Sequence, residues 1–413
     1  MPICPDKMAS CPTLLIVAIL LEEMDELHYD FLKLDALLTP EQLQLRQQVR
    51  DYVSQEVLPE INHYWEAAEF PTEMAMKLKS LPIMGGMLSG YGCAGLKPLE
   101  YGLVRYELAW GDGSISTFYG VQTGLAMNSI GTLGSEAQRE RWLPGMARLE
   151  KIGAFALTEP ERGSDAAHIE TTFRRQGEGY ILNGRKRWIG NAAIADLLIV
   201  WARDEAGEFG GFVIEEPQKT AGITIQNIGG KISKRAVLNA DITLEEVAVP
   251  AANRLEKVRA FRHLNEVLAQ NRYAIGWEAA GLGAACFERA RQYALQREQF
   301  GRPIGAFQLI QQKLVEMLSM VTDMQLLCLQ LARLMENEEI TTPMLSLAKY
   351  ANARRARQMA QLAREVLGGN GILIENHIAR LLLDAEAVYT YEGTNEVNLL
   401  IVGRELTGIS AFK

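Results

Sequence analysis

The segment Gly179-Tyr180-Ile181-Leu182-Asn183-Gly184-Arg185-Lys186-Arg187-Trp188-Ile189-Gly190-Asn191 decides the fold class. Asn183-Gly184 reads as a hairpin turn, since both central positions of such a turn favour positive φ. Around it the hydrophobic period is near two. Thr171 to Phe173, Gly179 to Leu182, Asp196 to Ala202, Gly211 to Ile214, Ile223 to Ile228 and Ala240 to Leu244 read as short strands. Strands in succession without helices between them predict an antiparallel sheet or small barrel, not an α/β sheet. On either side the pattern is helical. Thr39-Pro40 with Glu41-Gln42, Pro71 to Leu78, and Ser135 to Ala147 carry helix starts before the β block. After Pro250, Ile310, Leu314, Met317, Val321, Met324, Cys328, Leu331 and Met335 form one helical stripe, as in a bundle core. Pro343 opens a further helix through Val366, stopped by Gly368-Gly369. The expected organisation is a helical domain at 24–150, a β domain at 151–250 and a helical bundle at 251–413.

At 413 residues and net charge −9 the chain exceeds one ordinary core and lacks the basic balance of a nucleic-acid binder. Arg354, Arg355, Arg357 and Arg364 read as a solvated or inter-subunit helix face. Five scattered cysteines without C-x-x-C suit a reducing compartment, and a cytoplasmic location is expected. The five histidines form no H-E-x-x-H, so no metal site is expected. Pro12 to Leu21 is an apolar run well short of the ~20 residues that span a bilayer. Residues 1–23 therefore read as a dispensable extension, with Met24 as an alternative start, and the tail Ser410-Ala411-Phe412-Lys413 is not an S-K-L address.

Among Gly-rich segments, Gly281-Leu282-Gly283 lacks the third glycine of a dinucleotide fingerprint and sits in a helical pattern, so it reads as helix packing. No G-x-x-x-x-G-K-[ST] occurs. Other segments are more particular. Thr158-Glu159-Pro160 with Gly163-Ser164-Asp165 is a turn that can hold a polar ring edge or an anion. Lys186 to Asn191 is expected to close the next hairpin, with the Trp188 indole placed to cover a flat heteroaromatic face. Arg297-Glu298-Gln299-Phe300-Gly301 offers a cation for phosphate, and Gly368-Gly369-Asn370-Gly371 permits close backbone approach. Tyr391-Glu392-Gly393-Thr394-Asn395-Glu396 sets an acid between an aromatic and a glycine.

In this order, from about Asp35 to Phe412, these segments resemble the acyl-CoA dehydrogenase family of flavoenzymes. Leu367 to Gly371, Leu383 to Val388, Gly403 to Ile409 and Trp188-Ile189-Gly190-Asn191 are similar to its branch of glutaryl-CoA dehydrogenases and plant short-chain acyl-CoA oxidases. The resemblance implies a helical domain, a middle antiparallel β domain and a C-terminal four-helix bundle, with FAD as cofactor. It implies Glu392 as the base that takes the α-proton of an acyl thioester while hydride leaves the β carbon. The Glu392 backbone N–H would face the developing enolate, and Arg272, Tyr391, Gly393 and Ser164 would meet the acyl-CoA. Asn271 stands where some relatives carry an alternative base.

For FAD the resemblance implies contacts from Phe155, Leu157, Thr158, Ser164, Trp188, Gly190, Arg297, Phe300, Gln308, Thr394 and Glu396. Glu365, Gly368 and Gly369 would reach the FAD of a neighbouring subunit, as in a homotetramer. The positions that would hold a second substrate carboxylate are Ser116 and Ala109, which disfavours glutarate and favours an uncharged short- to medium-chain acyl group. The implied reaction belongs to fatty acid metabolism: dehydrogenation to a trans-2-enoyl-CoA, with electrons passing to an electron-transfer flavoprotein. Alternatives are an oxidase that uses O₂, suggested by the room Gly190 would leave beside the flavin, a glutaryl-CoA dehydrogenase-like enzyme with altered substrate, or a silent flavin-binding scaffold.

Overall fold

Caps written in the sequence start the first helices. In the computed structural model, which describes residues 30–411, Thr39 accepts the Gln42 amide at 3.3 Å and the Gln42 side chain accepts the Thr39 amide at 3.0 Å. Helix α1 (Pro40–Tyr52) follows this box. The expectations for residues 1–23 lie outside the described residues. Then come α2 (Ile61–Ala67), α3 (Thr72–Met76), α4 (Pro98–Gly111), α5 (Gly113–Tyr119), a π-helical stretch Gly120–Met127, α6 (Asn128–Leu133) and α7 (Glu136–Ala147). A second capping box, Ser135 with Gln138, opens α7. Every residue of α4 from Tyr101 onward is buried, so this helix is wrapped by protein on all sides.

The sheet contains β1 (Gly153–Ala156), β2 (Thr172–Gln176), β3 (Gly179–Gly190), β4 (Leu197–Arg203), β5 (Phe209–Glu215), β6 (Ile223–Asn227) and β7 (Asn239–Pro250). Most pairs are antiparallel, but β4 pairs β1 in parallel along its length and meets β2 in parallel at Thr172 and Arg203. Two local expectations are corrected. Asn183-Gly184 is not a turn: it lies inside β3, at a register shift against β7. The β2–β3 turn is instead made at Gly177 (φ 57) and Glu178. The Asn183 side chain is spent across the sheet, accepting the Glu246 amide at 2.8 Å and donating to the Glu246 carboxylate at 2.7 Å. A Cβ at Gly184 would fall 2.5 Å from the Thr171 hydroxyl oxygen, so the glycine serves a close approach. Likewise Lys186 to Gly190 continues β3 through a second shift, and no hairpin closes there.

The chain then returns to helices: α8 (Asn265–Gln296), a two-residue-strand ribbon of β8 (Glu298–Gln299) and β9 (Arg302–Pro303), α9 (Gln308–Glu336), α10 (Thr342–Leu367), α11 (Ile378–Thr390) and α12 (Asn395–Thr407). The stripe on α9 faces the core as expected: Met317, Val321, Met324, Cys328 and Leu331 are buried, and Ile310, Leu314 and Met335 pack partly against them. Among the described residues α9 is also the one helix long and apolar enough to cross a membrane, and its apolar stripe is used for this bundle packing.

Helix α8 ties the bundle to the N-terminal helices. A Cβ at Gly281 would sit 2.0 Å from the Tyr106 carbonyl oxygen of α4, backbone against backbone. Gly281→Ala must part these two helices and is expected to destabilise the protein by about 1–3 kcal/mol or more. A thermal melt checks this; an unchanged melting temperature would show that α4 and α8 can slide apart at no cost.

Candidate active site

Between α11 and α12 the chain makes a turn that carries the acid. Glu392 has φ 54 and Gly393 φ 84, and a non-glycine residue held left-handed this way stores backbone strain. The turn is fixed from the α12 side. Thr394 caps α12 by accepting the Val397 amide at 3.2 Å, and the Asn398 side chain donates to the Gly393 carbonyl at 2.8 Å and the Thr394 carbonyl at 3.1 Å. From below, the Tyr391 hydroxyl donates to Glu278 at 2.6 Å.

The Glu392 residue is partly open to solvent, and the protein packed around its carboxyl desolvates it. Burial pushes that carboxyl up to about 7, against the pull of Arg272, Lys349 and Arg105 and with a push from Glu278. The partners are themselves desolvated. Burial lowers Arg272, whose Nε has no protein hydrogen-bond partner, and brings Lys349 down to about 8, its Nζ donating to the Tyr389 carbonyl at 2.8 Å. Asn271, beside Arg272, spends its amide on the Gly124 and Val267 carbonyls at 2.7 and 2.9 Å and offers no base.

Of the expected set, the structure thus brings Glu392, Tyr391, Gly393 and Arg272 together. Sequence reading missed Arg105, Glu278, Lys234 and Lys349, all buried. A signal was present for the first two. Charged residues at Val104-Arg105-Tyr106 and Trp277-Glu278-Ala279 interrupt otherwise apolar runs, and such charges seldom go inside unpaired.

A second group forms on the sheet. Phe155 is buried in β1, Leu157 and Thr158 follow that strand, and Trp188 and Gly190 lie on β3. Buried Lys186 clamps the two segments: its Nζ donates to the Leu157 carbonyl at 3.1 Å and to Glu159 at 2.8 Å. Glu159 also accepts the Thr171 amide at 2.8 Å, and the Arg187 amide donates to the Thr158 carbonyl at 2.8 Å. Trp188 has φ 64 and leaves its indole half exposed, 51%, with Arg187 over one face at 5.1 Å. Ser164 is exposed on the loop beyond. The room expected beside Gly190 is narrowed here. A Cβ there would meet Val121 Cγ2 at 3.1 Å, because the valine of the π-helical stretch already packs into that space.

The third group lies apart, exposed at one end of the bundle, where α8 ends, α9 begins and α10 ends. It comprises Arg297, Phe300, Gln308, Glu365, Gly368 and Gly369, tied by a Lys313–Glu365 ion pair and an Asn370–Tyr293 hydrogen bond at 2.8 Å. Thr394 and Glu396 are not with them; they form the first turn of α12 beside Glu392. The chemistry of the second and third groups suits a long cofactor with a flat ring and a charged tail. A half-exposed indole beside a Cβ-free strand end suits the ring. Exposed Arg297 suits a diphosphate, and a Cβ at Gly368 or Gly369 would meet nothing within 4 Å, which leaves a smooth open shelf. Among the described residues no cluster of His, Cys, Asp and Glu could hold a metal ion.

Comparison with known proteins places this geometry. The acyl-CoA dehydrogenase N-terminal, middle and C-terminal domain models match residues 39–150, 154–247 and 261–407. A probable acyl-CoA dehydrogenase, YngJ, of Bacillus subtilis (strain 168) is 32% identical over 374 residues, covering 89% of this chain and 98% of that protein. The crystal structure of glutaryl-CoA dehydrogenase from Mycobacterium smegmatis matches with TM-score 0.91 at 40% identity, covering 94% of this chain and all of that one, 100%. A glutaryl-CoA dehydrogenase of the same organism in complex with FADH2 matches with TM-score 0.90 at 36% identity, covering 93% of this chain and 98% of that one.

Proposed function

The chain belongs to the acyl-CoA dehydrogenase family, and from that premise we propose that it dehydrogenates an uncharged short- to medium-chain acyl-CoA to the trans-2-enoyl-CoA. It is an oxidoreductase acting on a CH–CH bond, with FAD as its cofactor. The observation that carries the reading is Glu392: a carboxyl pushed up to about 7 by burial, on a strained turn beside Arg272, whose buried Nε has no hydrogen-bond partner among the described residues. A base of that affinity is half ionised at working pH, where proton transfer is most effective.

The residues act as follows. Arg272 and the Tyr391–Gly393 turn orient the thioester, and the backbone N–H of Glu392 faces the carbonyl oxygen on which enolate charge develops. Glu392 takes the α-proton. Phe155, Leu157, Thr158, Trp188 and Gly190 would hold the ring of FAD, and Arg297, Phe300 and Gln308 its tail. FAD, when bound, supplies the hydride acceptor for the β carbon. Phe300 (93% exposed), Leu309 and Ile372 leave an apolar surface beside Glu365, Gly368 and Gly369, which supports a homo-oligomer in which subunits share the cofactor site.

Two observations bear on substrate and acceptor. Ser116 and Ala109 are buried and neutral, and nearby Arg105 is already paired with Glu278, so neither position offers a second substrate carboxylate an unpaired cation. Val121 packed against Gly190 narrows the space for O₂, and an electron-transfer flavoprotein is the acceptor we favour. The test is a panel of straight, branched and dicarboxylyl CoA thioesters scored with a dye and with O₂. Turnover only with glutaryl-CoA, or faster with O₂ than with dye, would overturn this reading. With the preferred substrate, kcat/KM is expected to rise with pH through about 7, because the base must be ionised to accept the proton. A pH profile flat from mildly acidic to mildly alkaline conditions would remove Glu392 from that role.

A further inference from the structure

Behind the Tyr391–Glu392 turn lies a buried ion cluster for which the acyl-CoA dehydrogenase reading has no use. Its centre is Glu278, 1% exposed in the middle of α8. Three donors from three parts of the chain converge on this one carboxylate. Arg105 Nη2 arrives from α4, Lys234 Nζ at 3.0 Å from the segment between β6 and β7, and the Tyr391 hydroxyl at 2.6 Å from the turn itself. The two charged donors are each anchored a second time. Arg105 Nη1 donates to the Ser116 carbonyl at 2.7 Å, and Lys234 Nζ donates to the Gly113 carbonyl at 2.9 Å. Lys234 also lies 5.8 Å from the centre of the Tyr391 ring and holds a left-handed backbone, φ 49, with its amide donating to Asp384 at 2.6 Å.

Removing three charges from water is costly, and apolar side chains would fill the same space more cheaply. Stability is therefore a poor reason for the cluster. Its geometry ends on the residue adjoining the acid. The charged and titratable groups facing Glu392 are Arg272 and Glu278 from α8, Lys349 from α10, and Arg105 and Tyr101 from α4, with Tyr391 on its own turn. Five of these are cations or hydroxyls; Glu278 is the anion among them.

We propose that Glu278 is a positioning residue for the reaction: clamped by Arg105 and Lys234, it fixes the Tyr391 hydroxyl and hence the turn that presents Glu392, and its charge offsets the two cations behind that turn. The inference rests on Glu392 as the base. Without the Glu278 charge, Arg105 would hold Glu392 ionised but poorly basic; without Arg105, Glu278 would hold it protonated.

The experiment is an infrared difference titration of the Glu392 carboxyl in FAD-loaded protein, the band being identified by its loss in Glu392→Gln. Glu278→Gln keeps the shape and an acceptor for Tyr391, and is expected to lower the midpoint by about one pH unit, tenfold in proton affinity. Arg105→Gln is expected to raise it by a similar amount, and the double variant to return to within about half a unit of the parent. Tyr391→Phe should leave the midpoint in place and lower kcat on the best substrate of the panel about tenfold with KM unchanged. Opposed shifts cancelled in the double variant are what a merely structural cluster would not give. Midpoints that stay put, or move in one direction in both single variants, overturn the proposal. Should Glu278→Gln fail to fold, Lys234→Gln takes its place beside Arg105→Gln; both are expected to raise the midpoint, and an unmoved midpoint again overturns it. The titration needs no turnover, so a failed dehydrogenation assay would sink the proposed reaction without touching this result.

Discussion

Glu392→Gln is expected to keep its FAD and bind acyl-CoA while turnover falls by ~1,000-fold or more. The substitution preserves the shape of the turn and its backbone N–H, so only proton abstraction is lost. The fold should not suffer. Burial holds the Glu392 carboxyl up at about 7, so the folded protein binds that proton more tightly than the unfolded chain does. Stability from this group is present at low pH and lost as pH rises through about 7, where the charge must form inside the protein. The glutamine carries no such cost, and the variant should melt no lower than its parent at about pH 8. Steady-state rates, flavin absorbance and a melt at that pH check the three parts. Retention of more than about a tenth of the activity would place the base elsewhere.

Lys186→Met is expected to strip most of the FAD and destabilise the protein by about 3–5 kcal/mol, the usual result of removing one partner of a buried ion pair. Lys186 is fully buried and Glu159 nearly so, 0% and 4% exposed, and their pair joins the Leu157–Thr158 segment to β3 directly below Trp188. Losing the ammonium frees the Leu157 carbonyl and leaves the Glu159 carboxylate with only its Glu170 and Thr171 donors. Adding Glu159→Gln should recover part of the stability, because the stranded charge is then gone. Flavin content after gel filtration and a denaturant melt measure both. A single variant that keeps its flavin and its midpoint would show that the loop is held by other contacts.

Much of the fold was determined by local sequence. Caps at Thr39 and Ser135, the α9 stripe and the short β runs each depend on neighbours within a few residues, and each falls in the expected kind of element, although two of the β runs extend into twelve-residue strands. Gly281 was legible as packing for the same reason: a small residue inside a helical period has little else to do. The acid of the site was legible as well, since Tyr391-Glu392-Gly393 is a contiguous run.

What depended on distant partners was not. Asn183-Gly184 has the local chemistry of a turn, yet Glu246, far along the chain, claims the Asn183 side chain and Thr171 presses on the glycine. A β pair formed across many residues outweighs the small preference of two residues for positive φ. The space beside Gly190 likewise belongs to Val121, which no reading of β3 alone could place there. Most of all, the protonation of Glu392 is set by Arg272 and Glu278 on α8, Lys349 on α10 and Arg105 on α4. Charges couple through space and burial, not along the sequence, so the identity of the acid was written locally and its strength only in the packed tertiary structure.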